Sequence, residues 1–282
     1  MDLRGKLAAD KITDAVIEKV KVLNDNSIQP KLAIVRVGAR GDDLAYERGI
    51  YKRFEKANAL VETFELPEDV TQDDLEKKIC ELDGNDSIHG ILMFRPLPRH
   101  LDENKARNMV SAIKDVDCMS DNNFAHVFAS DGIGYPPCTP QAVIEIAHAY
   151  DIPLAGKNIA LIGRSMVVGK PLAMLLIKEN ATVTVCHTKT QNLAKICKEA
   201  DIICAAAGCA KMIGKEHIGS KQIIFDVGIN VVDDNLCGDV DYENVKDLVE
   251  GITPVPGGVG AVTTSVLLKH VVNSAFILNK LN

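Results

Sequence analysis

Short apolar runs alternate with helical stripes along most of the chain, and that alternation limits the fold more than any other feature. Leu7, Ile12, Val16, Val20 and Leu23 stand three to five residues apart, the spacing of a helix with one buried stripe over residues 5–23. KLAIVRVG (Lys31–Gly38) reads as a strand, Asp42–Asn58 as a helix and VETFEL (61–66) as a strand. Thr71, three residues before Asp74, opens a helix that runs to about Leu82. IHGILMF (88–94) is a buried strand stopped by Pro96 and Pro98. A second series follows YPPCTP. Thr139 is the expected cap of a helix with Pro140 in its first position. Strands are expected at 157–163, 181–187, 201–208 and 221–228, with helices at Gly169–Glu179 and Thr190–Glu199. A final helix, about Ala261–Leu281, comes after a glycine loop. This βα alternation predicts an α/β fold with mostly parallel sheets.

The chain has 282 residues, room for two domains of roughly 100–150 residues each. At 46% hydrophobic and 25% charged residues, it is neither disordered nor collagen-like. Its 32 basic residues are outnumbered by 39 acidic ones, which argues against coating nucleic acid or an anionic membrane. With no Trp, 5 Tyr and 7 Phe, broad stacking on single strands or glycans is not expected. The charged, amphipathic N-terminus does not read as a signal peptide. AVTTSVLLKHVVNSAFIL is broken by Lys269, His270 and Asn273, so it reads as a core or amphipathic helix and not a membrane span. The eight Cys form no C-x-x-C pair and read as reduced, buried thiols. His89, His126, His187 and His217 lack the spacing of metal ligands, and no metal is expected. The charge run Glu65–Lys78 reads as a solvated face.

GRSMVVGKP (Gly163–Pro171) carries the most specific local chemistry. A buried strand ends at Gly163 and a helix starts about six residues later, the arrangement that turns a helix N-terminus toward a pyrophosphate. The spacing is wider than G-x-G-x-x-G, with Ser165 in place of the second glycine; as structure alone, it is a strand–helix turn. Nucleotide units that take NAD usually place an acid at the end of the next strand to hold the ribose hydroxyl. Here that end reads Cys186, His187, Thr188, Lys189, Thr190. With no carboxylate there, Arg164 and Lys189 suit a 2′-phosphate, which favours NADP over NAD. The loop Thr253–Thr264 (TPVPGGVGAVTT) has two prolines for stiffness and glycines for close backbone approach.

Taken in order, these segments resemble the methylenetetrahydrofolate dehydrogenase/cyclohydrolase family of the FolD type. The resemblance spans essentially the whole chain. It rests on VG followed by Tyr46, GIL…PLP (Gly90–Pro98), KDVD (Lys114–Asp117), PCTP (Pro137–Pro140), GRSMVVGKP, ATVTVCHTKT, DVGIN (Asp226–Asn230), GDVDY (Gly238–Tyr242) and PVPGGVG (Pro254–Gly260). It implies two α/β domains flanking a cleft. A folate-binding, catalytic domain would take residues 1–138 and 262–282, and a Rossmann-type NAD(P)-binding domain residues 139–261. It also implies a cytoplasmic homodimer of one-carbon metabolism. The cofactor would be held at Gly163, Arg164, Ser165, Val168, Gly169, His187, Thr188, Lys189, Ile229, Gly257, Gly258 and Thr263. Folate would meet Tyr46, Ile50, Phe94, Asp117, Pro256, Gly257 and Gly258, with Tyr46 and Asp117 as the catalytic pair.

The departures from the family pattern cluster on the folate side. Where the family has Lys four residues after the Tyr, this chain has Ile50; where it has Gln before the PLP segment, this chain has Phe94. Asp43 replaces the Ser three residues before the Tyr, Cys118 replaces the Gly after Asp117, and Ala-Val replaces Pro-Met after PGGVG. Hydride loss from a methylene carbon between two nitrogens leaves a delocalised cation and needs no proton abstraction. Hydrolysis of that cation needs water and proton transfer, to which a placed Lys typically contributes ~10²–10⁴-fold. Neither Ile50 nor Phe94 transfers a proton. The expectation is therefore a dehydrogenase with weak or lost cyclohydrolase activity. The fully bifunctional enzyme and a folate- or nucleotide-binding paralogue without turnover are the alternatives. Arg53 and Arg95 stand near these positions, but Arg is a poor proton shuttle and better suited to the glutamate tail or to steadying a water.

Overall fold

The computed structural model describes residues 1–233 and 235–281. Residues 234 and 282, the latter the expected end of the folate-binding domain, lie outside the described residues. In chain order the elements are α1 (Gly5–Asp25), β1 (Lys31–Val37), α2 (Gly41–Lys56), β2 (Leu60–Leu66), α3 (Gln72–Asp83), β3 (Gly90–Met93), α4 (Glu103–Arg107) and α5 (Asp121–Ala129). Then come α6 (Cys138–Ala149), β4 (Asn158–Ile162), α7 (Gly169–Lys178), β5 (Thr182–Cys186), α8 (Leu193–Glu199), β6 (Ile202–Ala205) and β7 (Ile223–Asp226). The chain closes with β8 (Asn230–Val232), β9 (Asn235–Cys237), α9 (Tyr242–Val245), β10 (Gly251–Ile252) and α10 (Thr263–Leu278).

Two compact units result, Ile12–Pro136 with Thr264–Asn282, and Met1–Lys11 with Pro137–Thr263. In the first unit, β1 is central in a parallel sheet of order β2-β1-β3. Apolar residues on both faces of β1 (Leu32 to Val35) are fully buried, as a covered parallel strand requires. Ala33, Val35, Ile79, Leu82, Ile91 and Met93 join one core cluster against α3. Thr71 caps α3 by accepting from the Asp74 amide at 3.2 Å, as its spacing predicts. Helix α10 is a core helix, with Val266, Leu267, Leu268, Val271, Val272 and Ala275 fully buried. The buried stripe of α1 is Ala8, Ile12, Val16, Val20 and Leu23, while Leu7 is 41% exposed and faces outward.

In the second unit, five parallel strands have the order β10-β7-β6-β4-β5, a doubly wound sheet in which β4 and β6 are neighbours. The N-terminal residues belong to this unit because the Leu3 amide donates to Ile252 O (2.8 Å) and the Gly5 amide to Gly257 O (2.9 Å). Helix α6 starts two residues earlier than expected. Pro137 precedes it without a side-chain cap, so Thr139 is inside the first turn and is not the cap. Pro140 is still tolerated, because the first-turn amides of a helix have no intrahelical acceptor.

Candidate active site

In the unit built on β2-β1-β3, two of the predicted folate residues, Tyr46 and Phe94, meet on elements that follow the C-terminal ends of β1 and β3, where α/β sheets bind ligands, while Pro256, Gly257 and Gly258 belong to the other unit. Tyr46 stands in the second turn of α2, which follows β1. Phe94 directly follows β3 and is fixed by its amide donating to Val35 O at 2.9 Å. Their ring centroids are 6.0 Å apart and tilted by 38°, within the range of paired aromatics. Ile50, one turn after Tyr46, is 0% exposed, and Phe94 is 7% exposed. Two of the departures from the family pattern, Ile50 and Phe94, are therefore covered apolar side chains.

A buried ion pair, which gives no periodic signal in the sequence, fixes α2 to the sheet. Arg36 of β1 donates through Nε to Glu47 (3.0 Å) and through Nη2 to Glu65 of β2 (2.8 Å), and its Nη1 donates to Gly38 O (2.6 Å). Glu47 adjoins Tyr46, so this pair ties the tyrosine's turn of α2 to the sheet. Glu65, read as part of a solvated charge run, is one of the partners. Arg53 donates to Thr13 of α1 at 3.1 Å, so one of its donors is committed to a helix–helix contact.

Asp117 is half-buried in a segment laid beside β3, where the Ile91 amide donates to Lys114 O at 2.7 Å. Helix α10 pins the same segment, with Ser274 donating to Ile113 O (2.8 Å) and His270 Nδ1 lying 2.9 Å from Val116 O. Asp115 anchors the following turn by accepting from the amides of Met119 and Ser120 (both 2.8 Å) and from the Ser120 hydroxyl (2.7 Å). Burial pushes the Asp115 carboxyl above its usual range, and these bonds oppose that shift. Cys118 adopts φ +52°, a left-handed conformation that explains glycine in the family pattern at this position. Its thiol is buried, and burial pushes its pKa up. Lys114 is buried and donates to Asp83 O (2.7 Å) and Asn85 O (2.8 Å), so it serves the turn after α3.

In the other unit, β4 ends at Gly163, whose φ of +132° and whose approach to Ala206 O exclude any side chain: an added Cβ would lie 2.1 Å from that oxygen. Gly169 opens α7 so close to Gly163 O that its Cβ would fall at 2.4 Å. Between them Arg164, Ser165, Met166 and Val167 are exposed on the turn. The Ser165 hydroxyl accepts from the Val168 (3.1 Å) and Gly169 (3.3 Å) amides. Those two donors thus serve Ser165, and Val168 and Gly169 are among the cofactor residues that the resemblance implies. The turn after β5 is tied by the His187 amide donating to Thr190 Oγ1 (2.8 Å) and by the Lys189 amide donating to His187 Nδ1 (3.1 Å). It leaves Thr188 and Lys189 exposed, with no acid at the strand end. A dinucleotide with a 2′-phosphate fits this cradle: a tight glycine turn, a helix start, and Arg164 and Lys189 as cations. Ile229, after β7, is 63% exposed. Pro256, Gly257 (φ +99°) and Gly258 lie in the loop after β10 of this same unit, and Thr263 is buried with its hydroxyl donating to Gly260 O at 3.1 Å.

A buried acid pair organises the strand ends around that cradle. Asp239 accepts from the amides of Ala207 (2.6 Å), Gly208 (2.9 Å) and Cys209 (2.8 Å) after β6, and from Asn230 Nδ2 (2.9 Å) after β7. Asp226 accepts from the amides of Asp239 (2.9 Å) and Val240 (3.1 Å). Burial raises the Asp226 carboxyl to about 7 against the pull of those amides, and the nearby Asp239 charge adds to the rise.

A doubly wound sheet with a glycine turn into a helix, in a chain that also holds a second α/β unit, defines a dinucleotide-binding enzyme of two α/β units. The model of the tetrahydrofolate dehydrogenase/cyclohydrolase catalytic domain matches residues 3–117, and that of the NAD(P)-binding domain of the same family matches residues 137–278. The chain belongs to this family. It is 51% identical to "Bifunctional protein FolD" of Carboxydothermus hydrogenoformans over 99% of this chain and 98% of the relative. It is 50% identical to the protein of the same name from Alkaliphilus oremlandii, over 96% of each. The crystal structure of the bifunctional enzyme FolD, methylenetetrahydrofolate dehydrogenase/cyclohydrolase, from Campylobacter jejuni superposes with a TM-score of 0.96 at 36% identity, covering 100% of this chain and 99% of that one. The methylenetetrahydrofolate dehydrogenase-cyclohydrolase (FolD) of Trypanosoma brucei, solved with NADP cofactor and inhibitor, superposes with a TM-score of 0.92 at 31% identity over 99% and 98% of the two chains.

Proposed function

We propose that this chain oxidises 5,10-methylenetetrahydrofolate to 5,10-methenyltetrahydrofolate with NADP. The observation that carries this reading is that one chain holds both the Gly163–Gly169 turn, with Arg164 and Lys189 exposed, and, in its other unit, the Tyr46–Phe94 contact and the half-buried Asp117. NADP supplies the hydride acceptor when bound. The chain's own residues bind and orient. Arg164 and Lys189 hold the 2′-phosphate, Tyr46 packs on the flat ring system, and Asp117 both hydrogen-bonds the pterin and offsets the positive charge left on the two nitrogens.

For the second half-reaction, the relatives at 50–51% identity are named bifunctional, and this supports methenyl hydrolysis by the same chain. A second reading, hydrolysis weak or lost, rests on Ile50 and Phe94: two buried apolar side chains exclude water and carry no proton donor or acceptor. A homodimer, as the resemblance implies, is consistent with the β8–β9 hairpin, on which Val231 is 68% and Leu236 51% exposed. The test is one assay of purified protein with methylenetetrahydrofolate and NADP, following reduced cofactor and methenyl absorbance together. Reduced cofactor with methenyl lost faster than in buffer alone supports the bifunctional reading. Accumulating methenyl supports the second reading, and no reduced cofactor overturns both.

A further inference from the structure

Arg40 stands immediately before α2 and donates to Asp43 through both arms of its guanidinium, Nε to Oδ2 at 2.9 Å and Nη2 to Oδ1 at 2.8 Å. The same Nη2 also donates to the main-chain oxygen of Arg95 at 3.1 Å. These three bonds join two places far apart in the sequence. Asp43 lies three residues before Tyr46 and so on the same side of α2, and Arg95 directly follows Phe94. The fork thus ties the helix that carries one ring to the loop that carries the other, beside their 6.0 Å contact. Asp43 is largely covered, with its side chain 15% exposed, while Arg40 is 40% exposed. An exposed i,i+3 ion pair contributes little to stability by itself. The bond to Arg95 O, across 55 positions of sequence, gives this one a different consequence.

We propose that Arg40 and Asp43 are positioning residues for the folate substrate, setting the spacing of the Tyr46–Phe94 pair on which its flat ring system lies. The inference rests on the folate reading of that surface. Asp43 stands where the family pattern has Ser, and a Ser hydroxyl cannot take both arms of a guanidinium. The positioning bridge therefore belongs to this chain's own version of the site. Neither residue transfers a proton or touches the reacting carbon. Their effect is on how well the substrate is held.

The test uses the full chain and its Arg40→Ala, Arg40→Lys, Asp43→Ala and Arg40→Ala/Asp43→Ala variants. It measures the KM for methylenetetrahydrofolate, the KM for NADP, thermal unfolding, and calorimetric binding of tetrahydrofolate, which needs no turnover. Arg40→Ala is expected to raise the folate KM and the tetrahydrofolate Kd about tenfold, with the NADP KM within about twofold. The double variant is expected to be no worse than Arg40→Ala alone, since the two residues act as one unit. Arg40→Lys restores less than half of the loss, because an ammonium cannot fork. Folate KM and Kd unchanged in Arg40→Ala overturn the proposal. So do additive losses in the double variant, or a rise in both KM values together with early unfolding. A wild type that binds tetrahydrofolate without reducing NADP defeats the dehydrogenase reading and leaves Arg40 to be judged by Kd. A wild type that binds no folate defeats both.

Discussion

The turn at residues 163–169 and the Tyr46–Phe94 surface take their proposed ligands by different means. The turn is made of main chain: Gly163 and Gly169 are held where no side chain fits, and Ser165 braces the loop with its hydroxyl. The aromatic surface is made of side chains, each on its own element and each held by a separate ion pair or hydrogen bond. Main-chain cradles tolerate almost no substitution at their close approaches. Side-chain surfaces can exchange a polar group for an apolar one without moving the backbone. This contrast accounts for an intact GRSMVVGKP loop in a chain whose folate side departs from its family at Asp43, Ile50, Phe94 and Cys118.

If the cradle is main chain, Gly163→Ala should have the largest effect. A Cβ 2.1 Å from Ala206 O forces the turn open, and NADP binding measured by calorimetry should weaken by more than about 100-fold. A Kd within threefold of wild type would break the comparison. Next, Asp117→Asn should lower kcat about 100-fold while the NADP Kd stays within about twofold, because its charge acts where the cation develops. Equal losses of both would remove Asp117 from the folate surface. Replacing Arg164 and Lys189 by Ala together should raise the NADP KM about tenfold and leave the NAD KM nearly unchanged, the expected effect of two partly solvated charges on one phosphate.

The remaining effect is on stability. Asp226 has its carboxyl raised to about 7 from an ordinary 3.8, so the folded unit holds a proton that the unfolded chain releases. This contribution is complete below about pH 4 and fades as pH rises through 7, by at most about 1.4 kcal/mol per pH unit. Asp226→Asn should flatten the denaturant midpoint across that window. A slope equal to wild type would show that the proton resides elsewhere.

Periodicity and turn chemistry located β1, β2, β4, β5 and α3, because each shows its burial pattern within its own residues. The short helices α4 and α5, the β8–β9 hairpin and β10 were not expected, since two to nine residues give too little periodicity to read. Of the candidate site, Tyr46, Asp117 and the glycine turn carried a signal in residue type and order. The Arg36–Glu65, Arg40–Arg95 and Asp239–Ala207 contacts did not. Arg36 and Glu65 are 29 positions apart, Arg40 and Arg95 are 55 apart, and Asp239 reaches back 32 to Ala207. The tertiary fold alone brings such partners together.

The two buried acids at 226 and 239 and the glycines beside them have a consequence for inheritance. A Cβ at Gly238 would lie 1.8 Å from an Asp226 oxygen, and one at Gly228 would lie 2.2 Å from the Asp239 carboxyl. Each acid therefore forbids a side chain at one glycine, while three successive amides after β6 depend on one of the acids. A library randomised at 226, 228, 238 and 239 should return survivors in which the four positions are kept or replaced as a set. Seldom should one of them change alone.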